Sequence, residues 1–250
     1  MKFEIAIEIY PPKHPLTLFF MKIVSTPENL HVLYEDNHLI VVNKRVGDLV
    51  QGDKTGDLPL PDVVKAYLKK KYNKPGDVFL GVVHRLDRPT TGLVVFARTS
   101  KALERMNALF SQRETQKTYW AIVQQPPSLP EATLEHYLKR NPQNNTSKAY
   151  LKAVPDSKLA QLSYTTLRVL DRYTVLEIAL HTGRHHQIRA QLAAIGCPIK
   201  GDLKYGFPRS NPDGGIHLHA RQLQFIHPVS KEPLTIIAPP PDEVLWNLVR

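Results

Sequence analysis

Gly81-Val-Val-His-Arg-Leu-Asp-Arg-Pro-Thr-Thr-Gly-Leu-Val-Val-Phe-Ala97 is the most informative stretch of this sequence. Its two apolar ends have the composition of strands, and a short polar loop, residues 84–92, lies between them. Catalytic groups tend to sit on loops carried by a rigid sheet. Pro89 and Gly92 supply turns, so Asp87, the one carboxylate of the loop, is fixed in place. Arg85 and Arg88 flank it and, with His84, form a basic rim; nearby positive charge favours the ionised carboxylate. Such a group suits attack on a nucleoside within a polyanion. A purely structural Asp–Arg cluster has the same composition, and spacing alone does not separate the two.

The second dense stretch is His181-Thr-Gly-Arg-His-His-Gln-Ile-Arg-Ala-Gln-Leu192. The spacing of Ile188, Leu192 and Ile195 predicts a helix over 184–195, stopped by Gly196 and Pro198. Arg184, His185 and His186 then crowd its first turn, where open amide N–H groups and the dipole favour phosphate. Arg189 follows core-facing Ile188, so it borders the interior and needs an acidic partner; Asp87 is the nominee. With His217 and His219, the histidines invite a metal-dependent hydrolase as another reading. The pattern lacks the glutamate of H-E-x-x-H and any cysteine pair, so the expectation is phosphate contact or core hydrogen bonding, with no metal.

Working outward, strand-like runs recur at 39–42, 79–83, 93–97, 118–123, 162–170, 174–180, 217–225 and 234–237. The pair 162–170 and 174–180, separated by Asp171-Arg172-Tyr173, reads as a hairpin with a three-residue loop. Residues 61–72 and 100–111 carry helical stripes (Val64, Tyr67, Leu68; Leu103, Met106, Leu109, Phe110). Strands with a few interspersed helices indicate an α+β domain. Residues 48–60 and 141–152 read as long polar loops. The second gathers Lys139, Arg140, Lys148 and Lys152 around asparagines, as a solvated loop or a segment gripping a nucleic-acid backbone. No repeat or linker is visible, so residues 30–250 are expected to form one catalytic domain. Residues 1–29 are an N-terminal extension or, through the alternating Lys2–Ile9, an edge strand.

Lys and Arg total 33 against 23 Asp and Glu, a net charge of +10 that favours a polyanionic partner. The hydrophobic fraction of 42% is that of an ordinary globular protein, which argues against disorder. A single cysteine, Cys197, excludes an intrachain disulfide. No run approaches the roughly 18 apolar residues that span a bilayer, and the N-terminus lacks a signal peptide's apolar stretch. The expected location is cytoplasmic, with no membrane partner.

In order and context, these motifs resemble the RluA-type pseudouridine synthases. The likeness starts at Val32-Leu-Tyr-Glu-Asp-Asn-His-Leu-Ile-Val-Val-Asn-Lys44 and runs through residues 84–97 and Lys117-Thr-Tyr-Trp-Ala-Ile-Val123. It continues over 181–206 and ends in His217-Leu-His-Ala-Arg-Gln-Leu-Gln-Phe-Ile-His-Pro228. The resemblance implies a central, mixed but largely antiparallel sheet, bent along a cleft and flanked by helices and loops. It implies isomerisation of uridine in structured RNA, ribosomal or transfer, with base flipping and without cofactor or metal. Asp87 matches the catalytic aspartate, Tyr119 the tyrosine stacked on the flipped base, and Arg189 the arginine paired with the aspartate. Arg85 matches an arginine that fills the vacated RNA stack, and Leu223 an apolar residue beside the target base. His84, Arg88, Arg184 and His185 complete the expected RNA contacts.

Three departures stand out. Asn43-Lys44-Arg45 lacks the proline that usually follows the lysine, which puts that loop's shape in question. Thr91 replaces a commoner serine, and Gln191 stands where the helix often has histidine. The small N-terminal RNA-binding domain of some relatives does not fit before Leu30, so target choice is expected to rest on the catalytic domain, acting as a monomer. An RNA-binding protein without catalysis is the rival from another class.

Overall fold

The computed structural model describes residues 23–53 and 55–249. The alternating stretch at 2–9 lies outside the described residues. In chain order the elements are β1 (Val32–Glu35), β2 (Leu39–Lys44), α1 (Leu60–Lys71), β3 (Gly81–Val82), β4 (Thr91–Ala97) and α2 (Ser100–Gln112). There follow β5 (Gln116–Val123), β6 (Glu131–Asn141), β7 (Thr146–Tyr150), β8 (Lys158–Val169), β9 (Thr174–Leu180) and α3 (Gln187–Ala194). A 3-10 turn at Leu203–Tyr205, β10 (Leu218–Ile226), β11 (Pro233–Ile237) and α4 (Val244–Asn247) complete the chain.

The strands form one sheet in the order β1-β2-β4-β10-β5-β9-β8-β6-β7, with β11 added to β10 and β3 to β4. Pairing is antiparallel throughout, except that β10 runs parallel to β4. The expected α+β class and mixed, largely antiparallel sheet are what the chain adopts. Side chains alternate across a strand, so β4, buried at all seven positions, feeds two cores. Leu93 and Val95 join Leu39, Val41 and Met106 of α2 on one face; Val94 and Phe96 join Ile40, Val42, Val64 and Leu68 of α1 on the other.

Helix α2 starts where Thr99 Oγ1 accepts the Ala102 N–H at 3.2 Å, a side-chain N-cap. At the crossover the β4 backbone passes so close to β10 that a Cβ on Gly92 would lie 2.4 Å from the Ala220 carbonyl oxygen, and its φ is +111°. Only glycine fits there. The loop that begins at His84 is thus forced to end where it does.

Three expectations need correction. Much of the segment read as a polar loop at 141–152 is sheet: β6 and β7 form a hairpin, paired from Tyr137↔Tyr150 to Asn141↔Thr146. One hairpin face is solvated and polar, while Leu138 and Ala149 pack the other against Ala190 of α3, so little hydrophobic signal reaches the sequence. Helix α3 begins at Gln187 rather than 184, because His186 takes a left-handed conformation with φ 52° that ends the preceding loop. The β8–β9 connection spans residues 170–173, closed by the Leu170 N–H donating to the Tyr173 carbonyl at 2.8 Å.

Candidate active site

The loop carrying Asp87 is pinned from beneath by Lys44. This side chain is 1% exposed, and its ammonium donates to the carbonyls of Arg45, Arg88 and Thr90 at 3.0, 3.1 and 2.7 Å. A buried ammonium is tolerated only where its hydrogens find acceptors. Backbone bonds finish the job: Thr90 N–H to the Asp87 carbonyl, Gly47 N–H to that of Arg88, and Ile216 N–H to that of Pro89. The missing proline also finds its explanation here. The Arg45 N–H, which a proline would lack, donates to Asp48 Oδ2 at 3.0 Å. Asp48 is 5% exposed and accepts from the Ser25 N–H and hydroxyl as well.

The Asp87 carboxylate opens into a cleft of about 1110 Å³ that Tyr119 and Arg189 also line. Arg189, 4% exposed on α3, donates from Nη1 to Asp87 Oδ2 at 2.9 Å. Its Nε and Nη2 grip the two oxygens of Asp202 at 2.7 and 2.8 Å. Burial opposes the charge of Arg189, but the two carboxylates outweigh it and hold its pKa above the ordinary arginine value. The face of Tyr205 lies 5.0 Å from the guanidinium. Asp87 keeps 31% of its side chain exposed, enough for a ligand to reach it. Both of its contacts, from Arg189 and from His186 Nε2 at 3.4 Å, fall on Oδ2; among the described residues Oδ1 makes no hydrogen bond.

Tyr119 on β5 is 9% exposed, and its pKa is pushed up by burial and then by the charge of Asp87, so the phenol is protonated at neutral pH. His84 stacks on Phe110 with centroids 5.0 Å apart, and its Nε2 accepts the Val95 N–H at 3.1 Å. Burial, then Lys117, holds its pKa down at about 4, leaving a neutral ring in the cleft wall. Arg85 and Arg88 are at the rim but do not bond Asp87. Arg85 pairs with Gln51, and Arg88 with Asp57 and, at 3.6 Å, Asp53. Arg184 lines the cleft while its Nε donates to the Leu159 carbonyl at 3.0 Å. His185 lies 2.9 Å from the Ser147 hydroxyl, and burial followed by Arg140 lowers its pKa. Leu223 is elsewhere: it is 3% exposed in the main core and does not line the cleft, where Leu86 and Leu180 do.

The remaining histidines go to separate partners: His181 to Ser163, His217 to Asn211 and Glu243, His219 to Thr91 and the Ala238 carbonyl. Among the described residues no three His, Cys, Asp or Glu side chains gather as a metal would require. Sequence reasoning missed Asp202, Tyr205 and Lys44 as parts of the site, and read His186, whose Nε2 faces Asp87, as a phosphate contact. The signal for Asp202 was present, since a guanidinium has five donors and one acid cannot fill them.

The sequence model for RNA pseudouridylate synthase matches residues 38–194, which include Asp87, Tyr119 and Arg189 but not Asp202 or Tyr205. An uncharacterized RNA pseudouridine synthase of Synechocystis is 35% identical over 227 residues, 88% of this chain and 68% of its own length. Ribosomal large subunit pseudouridine synthase D of Xanthomonas campestris is 34% identical over 232 residues, 86% of this chain and 67% of its own length. In fold, the human RNA pseudouridylate synthase domain containing 4 superposes with a TM-score of 0.72 at 24% identity, over 87% of this chain and 91% of the other. With more than half its length matched by the family model, the chain belongs to the RNA pseudouridylate synthases of the RluA type, isomerases that act on RNA.

Proposed function

We propose that this chain converts uridine to pseudouridine at defined positions of large-subunit ribosomal RNA, with Asp87 as the reacting carboxylate. The observation that carries the reading is Asp87 itself: it lines the cleft with Tyr119, and Arg189 grips only Oδ2. The choice of RNA is supported by relatives named as ribosomal large subunit pseudouridine synthases. The place of action is then the cytoplasm, with the chain as a monomer.

Uridine in a helix is out of reach, so it is extruded first, at a cost of about a few kcal/mol. Arg85, exposed at the cleft rim, is placed to fill the gap, and the cations Arg88, Arg113, Arg140 and Arg184 to hold the flanking phosphates. The bond from N1 to the ribose breaks, the base turns, and C5 bonds to the ribose carbon. The proton leaves C5 and N1 gains one, so the change is an isomerisation with no net redox or hydrolysis. Asp87 assists by attack on the nucleoside or by taking a sugar proton. Tyr119 stacks on the base as a phenol. Its deprotonation is opposed by burial and by Asp87, and becomes easier once the carboxylate charge is consumed in a covalent bond.

The test is to map pseudouridine in total RNA with and without the gene, and to repeat the reaction in vitro with Asp87→Ala. A site that vanishes from large-subunit RNA identifies the substrate, and one in transfer RNA redirects it. Asp87→Ala should lose activity by at least about a thousandfold while RNA affinity stays within about threefold. An RNA pattern identical with and without the gene refutes the proposal.

A further inference from the structure

Besides Arg189, the ring of His186 faces the carboxylate of Asp87. A chain of groups reaches it from the β6–β7 hairpin. The Ser147 backbone N–H donates to the Tyr205 hydroxyl oxygen at 2.8 Å, and that hydroxyl lies 2.9 Å from His186 Nδ1. On the opposite side of the ring, Nε2 lies 3.4 Å from Asp87 Oδ2. One assignment of protons satisfies every contact. A neutral ring can face a carboxylate favourably only through its N–H, so the single ring proton sits on Nε2; the bare Nδ1 then accepts the Tyr205 O–H, whose oxygen accepts from Ser147. Burial first, then Arg189 and His185 against the opposing pull of Asp87, hold the ring near a pKa of about 3, so it carries no second proton.

The ring has little freedom. The His186 side chain is 5% exposed, His185 stacks on it with centroids 3.8 Å apart, and Tyr205 meets it edge-on at 5.7 Å. Its φ of 52° is a left-handed conformation that a non-glycine residue keeps only where its surroundings enforce it. The Ser147 hydroxyl donates to the His185 carbonyl at 2.8 Å, so the hairpin and the loop move together. The ring is buried, with Nδ1 turned to the Tyr205 hydroxyl and Nε2 to Asp87, so neither nitrogen is turned outward toward a phosphate.

We propose, resting on the reading that Asp87 is the reacting group, that His186 is a positioning residue. Fixed by Tyr205 as the Nε2–H tautomer, it anchors Oδ2 beside Arg189 and leaves Oδ1 to meet the nucleoside. Tyr205 is a positioning residue one step further out.

Single-turnover rates and KM are measured on unmodified large-subunit ribosomal RNA transcribed in vitro. His186→Phe keeps a ring to stack on His185 but has no donor, so its rate falls about tenfold or more while KM stays within about twofold. His186→Gln, whose amide nitrogen reaches roughly the Nε2 position, recovers most of that loss. Tyr205→Phe frees the tautomer and slows the reaction by about threefold to tenfold. Equal losses in the Phe and Gln variants would reduce the ring to packing and overturn the proposal. So would a His186→Phe rate equal to that of the wild type. If His186→Phe does not fold, Tyr205→Phe decides, and a wild-type rate there overturns it. A wild-type chain that forms no pseudouridine on ribosomal or transfer RNA overturns the underlying reading, and the proposal with it.

Discussion

Arg189 is 102 residues from Asp87 along the chain and touches it, whereas Arg85 and Arg88 are neighbours in sequence and bond elsewhere. The first arginine is buried, held by two carboxylates and carried on a helix. The other two are on a loop at the rim, paired with Gln51, Asp53 and Asp57, which are themselves exposed. The difference teaches how one loop serves two tasks. Buried charge held in fixed hydrogen bonds orients the Asp87 carboxylate, because low dielectric makes those bonds strong and costly to break. Exposed charge is screened and exchangeable, which is what a phosphate contact requires.

The contrast is broken most directly at Asp202. In Asp202→Ala, Nε and Nη2 of Arg189 lose their partners inside the protein, and urea unfolding should show a loss of about 3–5 kcal/mol. That is a large share of a typical total of about 5–15 kcal/mol. Arg88→Ala should cost under about 0.5 kcal/mol in the same assay. Comparable losses in the two variants would show that burial does not separate the two sets.

A second difference is sharpened by pH, since the buried interior contains histidines. His219 is 0% exposed, with its Nδ1 2.9 Å from the Thr91 hydroxyl and its Nε2 3.1 Å from the Ala238 carbonyl. Burial holds its pKa down at about 4, against the bond to Ala238, which raises it. The unfolded ring takes a proton below about pH 6.5, while the folded ring waits until about 4. The unfolded state therefore binds more protons in this window, and stability falls as pH is lowered through it. Between pH 7 and 5 the loss from this ring is at most about 2 kcal/mol. Urea midpoints for the wild type and His219→Gln should converge as pH falls; parallel curves would rule this out.

How much of this was legible depends on what each feature leaves in the sequence. Asp87 and Arg189 were paired correctly, because an arginine beside core-facing Ile188 has to find an acid. Asp202 escaped because one acid seemed enough. Strand β4 read clearly, being apolar on both faces, and β10 through its apolar Leu218, Ala220, Leu223 and Phe225, while β7 read as loop, since only Ala149 and Ser147 turn inward. The start of α3 could not be read, because the left-handed turn at His186 is imposed by tertiary contacts, not by its side chain. Leu223 shows the limit of transfer by resemblance: its place in the β10 ladder, opposite Lys117 and Ile236, puts it in the core.

The smallest expected effect concerns the rim and tests its half of the contrast. In the free protein Arg88 is neutralised by Asp53 and Asp57, whose anionic oxygens are acceptors of the type a phosphate presents. In the proposed function Arg88 trades these for phosphate on binding RNA, and the gain is the difference between two similar partners plus released counterions. Removing it should therefore cost affinity mainly at low salt and little at high salt, which flattens the dependence on salt. For Arg88→Ala the slope of log K against log salt should fall by about 0.7–0.9, with the single-turnover rate at saturating RNA unchanged within about twofold. Arg85→Ala should depart from this pattern: the role proposed for Arg85, filling the RNA stack, belongs to extrusion, so its loss is expected to lower the rate as well as the slope. An Arg88→Ala variant with the wild-type slope would mean that its carboxylate partners never let go, and that Arg88, like Arg189, is a structural cation.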